Sequence, residues 1–118
     1  MIAKTLRKLL EAGEEPILLV DVREPNEVSD EPYFEVPPKN YLPLSLTVLS
    51  VLPADELKGK IMDVIGQLGW QGRDIRIVTL CRSGHRSQLA CSYFSKAGIS
   101  FPVESLDGGH GAWMMARE

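Results

Sequence analysis

The sequence predicts an α/β fold, with a mainly parallel central sheet flanked by helices on both faces. Three observations carry that expectation. The runs Ile17-Leu-Leu-Val20 and Ile75-Arg-Ile-Val-Thr-Leu80 are largely apolar, as strands buried inside a sheet require. Stripes at helical spacing lie before, between and after them. Glycine and proline punctuate the junctions. Strands alternating with helices imply parallel pairing, because parallel neighbours need a crossover connection. At 118 residues the chain is expected to form one domain over 1–118, large enough to bury a core.

The elements follow in order. Ile2, Leu6, Leu9 and Leu10 share one helical face, and Gly13 supplies a stop. Ile17–Val20 is a strand. Glu24–Ser29 forms a short helix with Pro25 in its first turn. Residues 30–40 contain Pro32, Pro37 and Pro38 and read as irregular, with an edge strand at Tyr33–Val36. Tyr41–Leu46 reads as a strand. Leu57, Ile61, Val64, Ile65 and Leu68 make a helical stripe, and Gly69 and Gly72 flank the turn after it. A strand at 75–80, a helix at 87–97 ended by Gly98, and a short strand at Val103–Leu106 come next. Asp107-Gly-Gly109 then turns into a last helix around Gly111–Arg117.

Composition narrows the function. Hydrophobic residues make up 44% and charged residues 25%, an ordinary balance for a soluble globular chain. A net charge of −3 argues against a nucleic-acid partner. Yet Arg73, Arg76, Arg82 and Arg86 face Asp74 alone within residues 73–86, a local +3. A basic loop on an acidic chain suggests a small anionic ligand. The most apolar region, Tyr41–Leu52, is too short to span a bilayer and holds Pro43, so no membrane association is expected. Met1–Leu10 lacks the continuous apolar stretch of a signal sequence. Two cysteines, Cys81 and Cys91, make no disulfide framework, and a reducing, cytoplasmic setting is expected. Two histidines and two cysteines so scattered build no metal site, and no cofactor is implied.

Cys81-Arg-Ser-Gly-His-Arg-Ser87 is the most informative run. It places a thiol at the carboxyl end of a strand, beneath a loop that opens into a helix. Backbone N–H groups and partial positive charge gather at such a point, and anions bind there. A thiolate is the form that such a field favours. Asp21 ends another strand and could face the same crevice, since ligands of parallel sheets bind at the carboxyl ends of strands.

Three segments in order now show a resemblance. Leu18-Leu-Val-Asp-Val-Arg-Glu-Pro-Asn-Glu-Val28, Cys81–Ser87 and Leu106-Asp-Gly-Gly-His-Gly-Ala-Trp113 resemble the single-domain rhodaneses, the thiosulfate sulfurtransferase family. The usual Gly-His-Ile-x-Gly-Ala segment after the first motif is absent; residues 30–44 read Asp-Glu-Pro-Tyr-Phe-Glu-Val-Pro-Pro-Lys-Asn-Tyr-Leu-Pro-Leu.

The resemblance implies a rhodanese-like fold and a sulfurtransferase in which Cys81 takes sulfane sulfur and passes it on as a persulfide. The ligand expected is a small sulfur-containing anion such as thiosulfate, with a thiol or a protein persulfide as possible donor or acceptor. Arg86, closing the loop, is expected to order it and lend charge to the donor, and Arg82 to meet the anion at the mouth. Ser83 and Gly84 supply loop geometry, and His85 a loop wall. Asp21 and Arg23 are supporting residues: Asp21 is expected to pair with Arg86, and Arg23 with Glu27. Cys91 is expected in the core beside Leu89, Ala90 and Phe94, with a resolving role as the alternative. His110 is expected to cap a helix or face solvent.

Two other classes stay open. Dual-specificity phosphatases and arsenate reductases of rhodanese-like fold use a Cys…Arg loop one residue longer, which makes room for a tetrahedral oxyanion; Cys81–Arg86 is Cys-x4-Arg. A persulfide-carrying, protein-binding module with little small-molecule turnover is the third.

Overall fold

The computed structural model describes residues Met1–Arg117. Ten elements follow in order: α1 (Ala3–Ala12), β1 (Ile17–Asp21), α2 (Pro25–Asp30), β2 (Tyr41–Pro43), α3 (Leu46–Val51), α4 (Ala54–Gln67), β3 (Arg76–Leu80), α5 (His85–Lys96), β4 (Val103–Ser105) and α6 (Gly109–Met115). The four strands form one parallel sheet in the order β2-β1-β3-β4.

Alternate residues of β1 feed two separate cores. Leu18 and Val20 join Ile77, Leu49, Leu57, Ile61, Ile65 and Phe94, beneath α3, α4 and α5. Ile17 and Leu19 join Leu6, Val78, Leu80 and Trp113, beneath α1 and α6. Every residue of β1 is buried, so the apolar run needs no polar alternation. The expected helices on both faces are present.

The chain order sets where a site can lie. β1 sits at the sheet's centre, with the connection to β2 running one way and β3 paired on its other side. That reversal opens a crevice at the carboxyl ends of β1 and β3. Asp21 pairs in register with Leu80, so Asp21 and Cys81 emerge at the same edge.

Two expectations at the sheet edge are corrected. Tyr33–Val36 is not a strand but an irregular bend, and the edge strand is β2. The predicted strand at Tyr41–Leu46 stops at Pro43. Ser45 caps a helix there, its side chain accepting from the Val48 N–H at 3.3 Å, and the rest of the apolar run becomes α3. Among the described residues no helix is long and apolar enough to cross a membrane.

Candidate active site

The loop between β3 and α5 is built around Cys81, which is fully buried. Its Sγ accepts a hydrogen bond from the Gly84 N–H at 2.9 Å and lies 3.3 Å from Ser87 Oγ. Gly84 is the residue before α5 and takes φ 103°, a conformation that L side chains avoid. That turn aims its N–H back at the sulfur. Ser87 Oγ donates to the Gly84 carbonyl at 3.1 Å and meets Ser105 Oγ at 2.5 Å. The thiol therefore sits at the N-terminus of a 12-residue helix, where backbone donors and the helix dipole favour negative charge.

The third motif braces the loop from behind. The His110 N–H donates to the Cys81 and Arg82 carbonyls at 2.9 and 3.1 Å. Gly109 packs so closely that a Cβ there would lie 2.5 Å from the Arg82 carbonyl carbon. Tyr33 donates its hydroxyl to the Cys81 carbonyl, and the Trp113 indole donates to the Tyr33 carbonyl at 3.0 Å. Burial, then the Asp21 and Cys81 charges, push the Tyr33 hydroxyl well above its usual range, so it stays a donor. The 30–44 segment thus supplies a loop support of its own.

The charged pairs differ from expectation, and both expected pairings are corrected. Asp21 does not pair with Arg86. It is bound by Arg23, with Nε to Oδ1 at 2.9 Å and Nη2 to Oδ2 at 2.8 Å, and by the Tyr41 hydroxyl at 2.6 Å. Two residues apart across a strand end, Asp21 and Arg23 meet locally, and both are buried. Arg23 Nη1 also reaches the Glu31 carbonyl at 2.6 Å and the Glu27 carbonyl at 3.3 Å, at the carboxyl end of α2. It touches the Glu27 backbone, not its carboxylate.

That carboxylate belongs to Arg86. Nη1 and Nη2 bind Oε1 and Oε2 at 2.5 and 2.6 Å, a fork on a fork between α5 and α2. The Arg86 hydrogen bond holds the Glu27 carboxyl at about 2 against an ordinary 4.5, and the same bond raises the guanidinium. Glu27 is the site residue that sequence reasoning misassigned. Glu24, three residues before it, gave a local signal: the two form a capping box that fixes the first turn of α2.

The remaining residues divide around the loop. Arg82 is exposed and borders a pocket of about 180 Å3 with Arg23, Asn26, Glu27, Asp30 and Glu31, which Cys81 does not line. Ser83 and His85 are exposed on the other side, beside Gly84, Gln88 and Asp107. A cleft of about 750 Å3 opens between α1, α6 and the 30–36 segment, and Cys81 does not line it. Cys91 is half-buried rather than in the core: Sγ lies 3.4 Å from the Ser87 carbonyl, while Leu89 faces solvent. His110 is partly buried, its Nε2 3.1 Å from the Pro32 carbonyl and its Nδ1 3.5 Å from Glu31. Among the described residues no group of three His, Cys, Asp or Glu side chains could hold a metal ion.

Comparison with known proteins bears on this arrangement. The chain is similar to a Rhodopseudomonas palustris protein of unknown function described as a possible tyrosine phosphatase, at 24% identity and TM-score 0.72, over 98% of this chain and 79% of that one. It is similar to a rhodanese-related protein from Thermoplasma volcanium at 22% identity and TM-score 0.64, over 99% and 91%. A rhodanese homologue from Thermus thermophilus matches at 24% identity and TM-score 0.51, over 95% and 97%. No curated protein matches the chain in sequence. These likenesses establish the shared fold. A family model, the Rhodanese-like domain, matches residues 2–116, and the chain belongs to that family.

Proposed function

We propose that the protein is a sulfurtransferase that carries sulfane sulfur as a persulfide on Cys81. Membership in the family supports a sulfurtransferase-type or related activity. The observation that carries the finer reading is the Gly84 N–H held 2.9 Å from Cys81 Sγ at the start of α5. In the first half-reaction the thiolate attacks the outer sulfur of the donor. A bond forms between Sγ and that sulfur, the sulfur–sulfur bond of the donor breaks, and the inner sulfur leaves as sulfite or as a thiolate. In the second, a thiolate or cyanide acceptor attacks the terminal sulfur and Cys81 leaves as thiolate. Two half-reactions through a covalent intermediate make a ping-pong scheme. The Gly84 N–H and the helix terminus steady the Cys81 thiolate, which attacks in the first half-reaction and leaves in the second.

The loop weighs against phosphate chemistry. Cys81 to Arg86 is one residue shorter than the loop that holds a tetrahedral oxyanion, and both terminal nitrogens of Arg86 are taken by Glu27. The test is thiocyanate formation from a sulfane donor and cyanide, with aryl phosphate hydrolysis measured on the same sample. Sulfur transfer that Cys81→Ser abolishes, with negligible phosphatase turnover, is expected. Full activity in Cys81→Ser, or aryl phosphate turnover at comparable rates, overturns the proposal.

A further inference from the structure

The arginine that closes the reactive loop is already paired with a carboxylate. Arg86 lies in the first turn of α5, five residues after Cys81. Glu27 neutralises its charge through two short hydrogen bonds. Arg23, which reaches the Glu27 carbonyl, is buried and committed to Asp21 and the end of α2. Arg82 is exposed and borders the same pocket as Glu27, Asp30 and Glu31.

Resting on the sulfurtransferase reading, we propose that Glu27 is a specificity residue that makes Cys81 prefer a thiol-bound persulfide to a compact dianion such as thiosulfate. The balance of charge gives the reason. Attack on thiosulfate gathers three negative charges, one on Cys81 and two on the donor: one stays on the Cys81 persulfide and two leave with sulfite. Attack on a protonated persulfide R–S–SH gathers one on the reacting sulfurs, and any charge on R lies several bonds away. The bond from Sγ to the outer sulfur forms, the S–S bond breaks, the proton stays on the transferred sulfur, and R–S⁻ leaves. A site whose loop arginine is already paired suits the second donor better, because like charges at a few ångströms repel strongly where water is excluded. Glu27 acts here through Arg86 and does not touch the sulfur. It is a positioning residue.

The test compares two donors, thiosulfate and glutathione persulfide, on the wild-type protein and on Glu27→Gln. Wild-type kcat/KM for forming the Cys81 persulfide is expected to favour glutathione persulfide by at least about tenfold, a difference of about 1.4 kcal/mol. Glu27→Gln keeps the side-chain length and removes the charge, freeing Arg86 for an oxyanion. Its KM for thiosulfate is expected to fall, and the donor ratio to shift towards thiosulfate by at least about tenfold. A variant that is partly misfolded loses both rates together and leaves the ratio where it was. An unshifted ratio in Glu27→Gln, or a wild-type preference for thiosulfate, overturns the proposal while leaving sulfur transfer by Cys81 intact. Failure of both donors to label Cys81 in the wild type overturns the sulfurtransferase reading itself.

Discussion

Gly109→Ala probes how the third motif holds the reactive loop. Gly109 has φ +58°, and a Cβ there would lie 2.5 Å from both the carbon and the oxygen of the Arg82 carbonyl and 2.7 Å from the Ser83 nitrogen. All three atoms are backbone, so no side chain can swing aside. The left-handed conformation costs an L-residue about 1–2 kcal/mol. Forcing a methyl against fixed neighbours typically costs about 1–3 kcal/mol more. A loss of about 2–5 kcal/mol follows, unless the loop moves, and any such movement displaces the Gly84 N–H from Cys81. Urea denaturation gives the stability, and persulfide formation on Cys81 gives the activity. Gly98→Ala is the control: at φ +75° it carries the same left-handed strain, but its Cβ would meet nothing within 4 Å, beyond the end of α5 opposite the loop. Both variants are expected to lose stability, and Gly109→Ala alone to lose kcat/KM in proportion beyond its folded fraction. Gly109→Ala as stable and as active as the wild type would refute the bracing role of the turn.

Three further outcomes are expected. Arg86→Lys keeps the charge but loses the planar guanidinium altogether, both for Glu27 and for any oxyanion, and kcat/KM should drop at least about tenfold with thiosulfate and glutathione persulfide alike; an unchanged value would mean that charge alone matters there. Tyr41→Phe removes a donor from the buried Asp21 carboxylate, and the urea midpoint should fall by the equivalent of about 2 kcal/mol, measured against an unchanged m-value. Glu27 titrates at about 2 in the folded chain against 4.5 ordinarily, so its pairing stabilises the fold fully above pH 4.5 and less as the pH falls towards 2. The stability advantage of the wild type over Glu27→Gln should therefore shrink across that window and stay level from pH 5 to 8; an advantage that first grew on acidification would contradict the pairing.

The sheet, both helical faces and the position of Cys81 were legible because each rests on a local signal. Continuous burial of β1 writes an apolar run, and Gly13 and Gly98 mark helix ends by their positive φ. The stretch after Pro43 was not legible in the same way. Leu46–Val51 is β-branched and apolar, and its helical state depends on the Ser45 cap and on Leu49 packing into the core. Tyr33 gave no signal either: its hydroxyl meets a carbonyl 48 residues away. The ion pairs were read with their partners exchanged. Four charged residues at the right places allow two pairings, and only the path of α2 decides between them. Arg23 lies along the α2 carbonyls, which leaves the Glu27 side chain to reach Arg86.

The most direct measurement is the mass of the intact protein after brief treatment with thiosulfate or glutathione persulfide. One added sulfur atom, about 32 Da, should appear on the peptide holding Cys81 and disappear on addition of cyanide, as the two half-reactions require. An unmodified Cys81 with both donors, or an adduct confined to Cys91, would contradict the account.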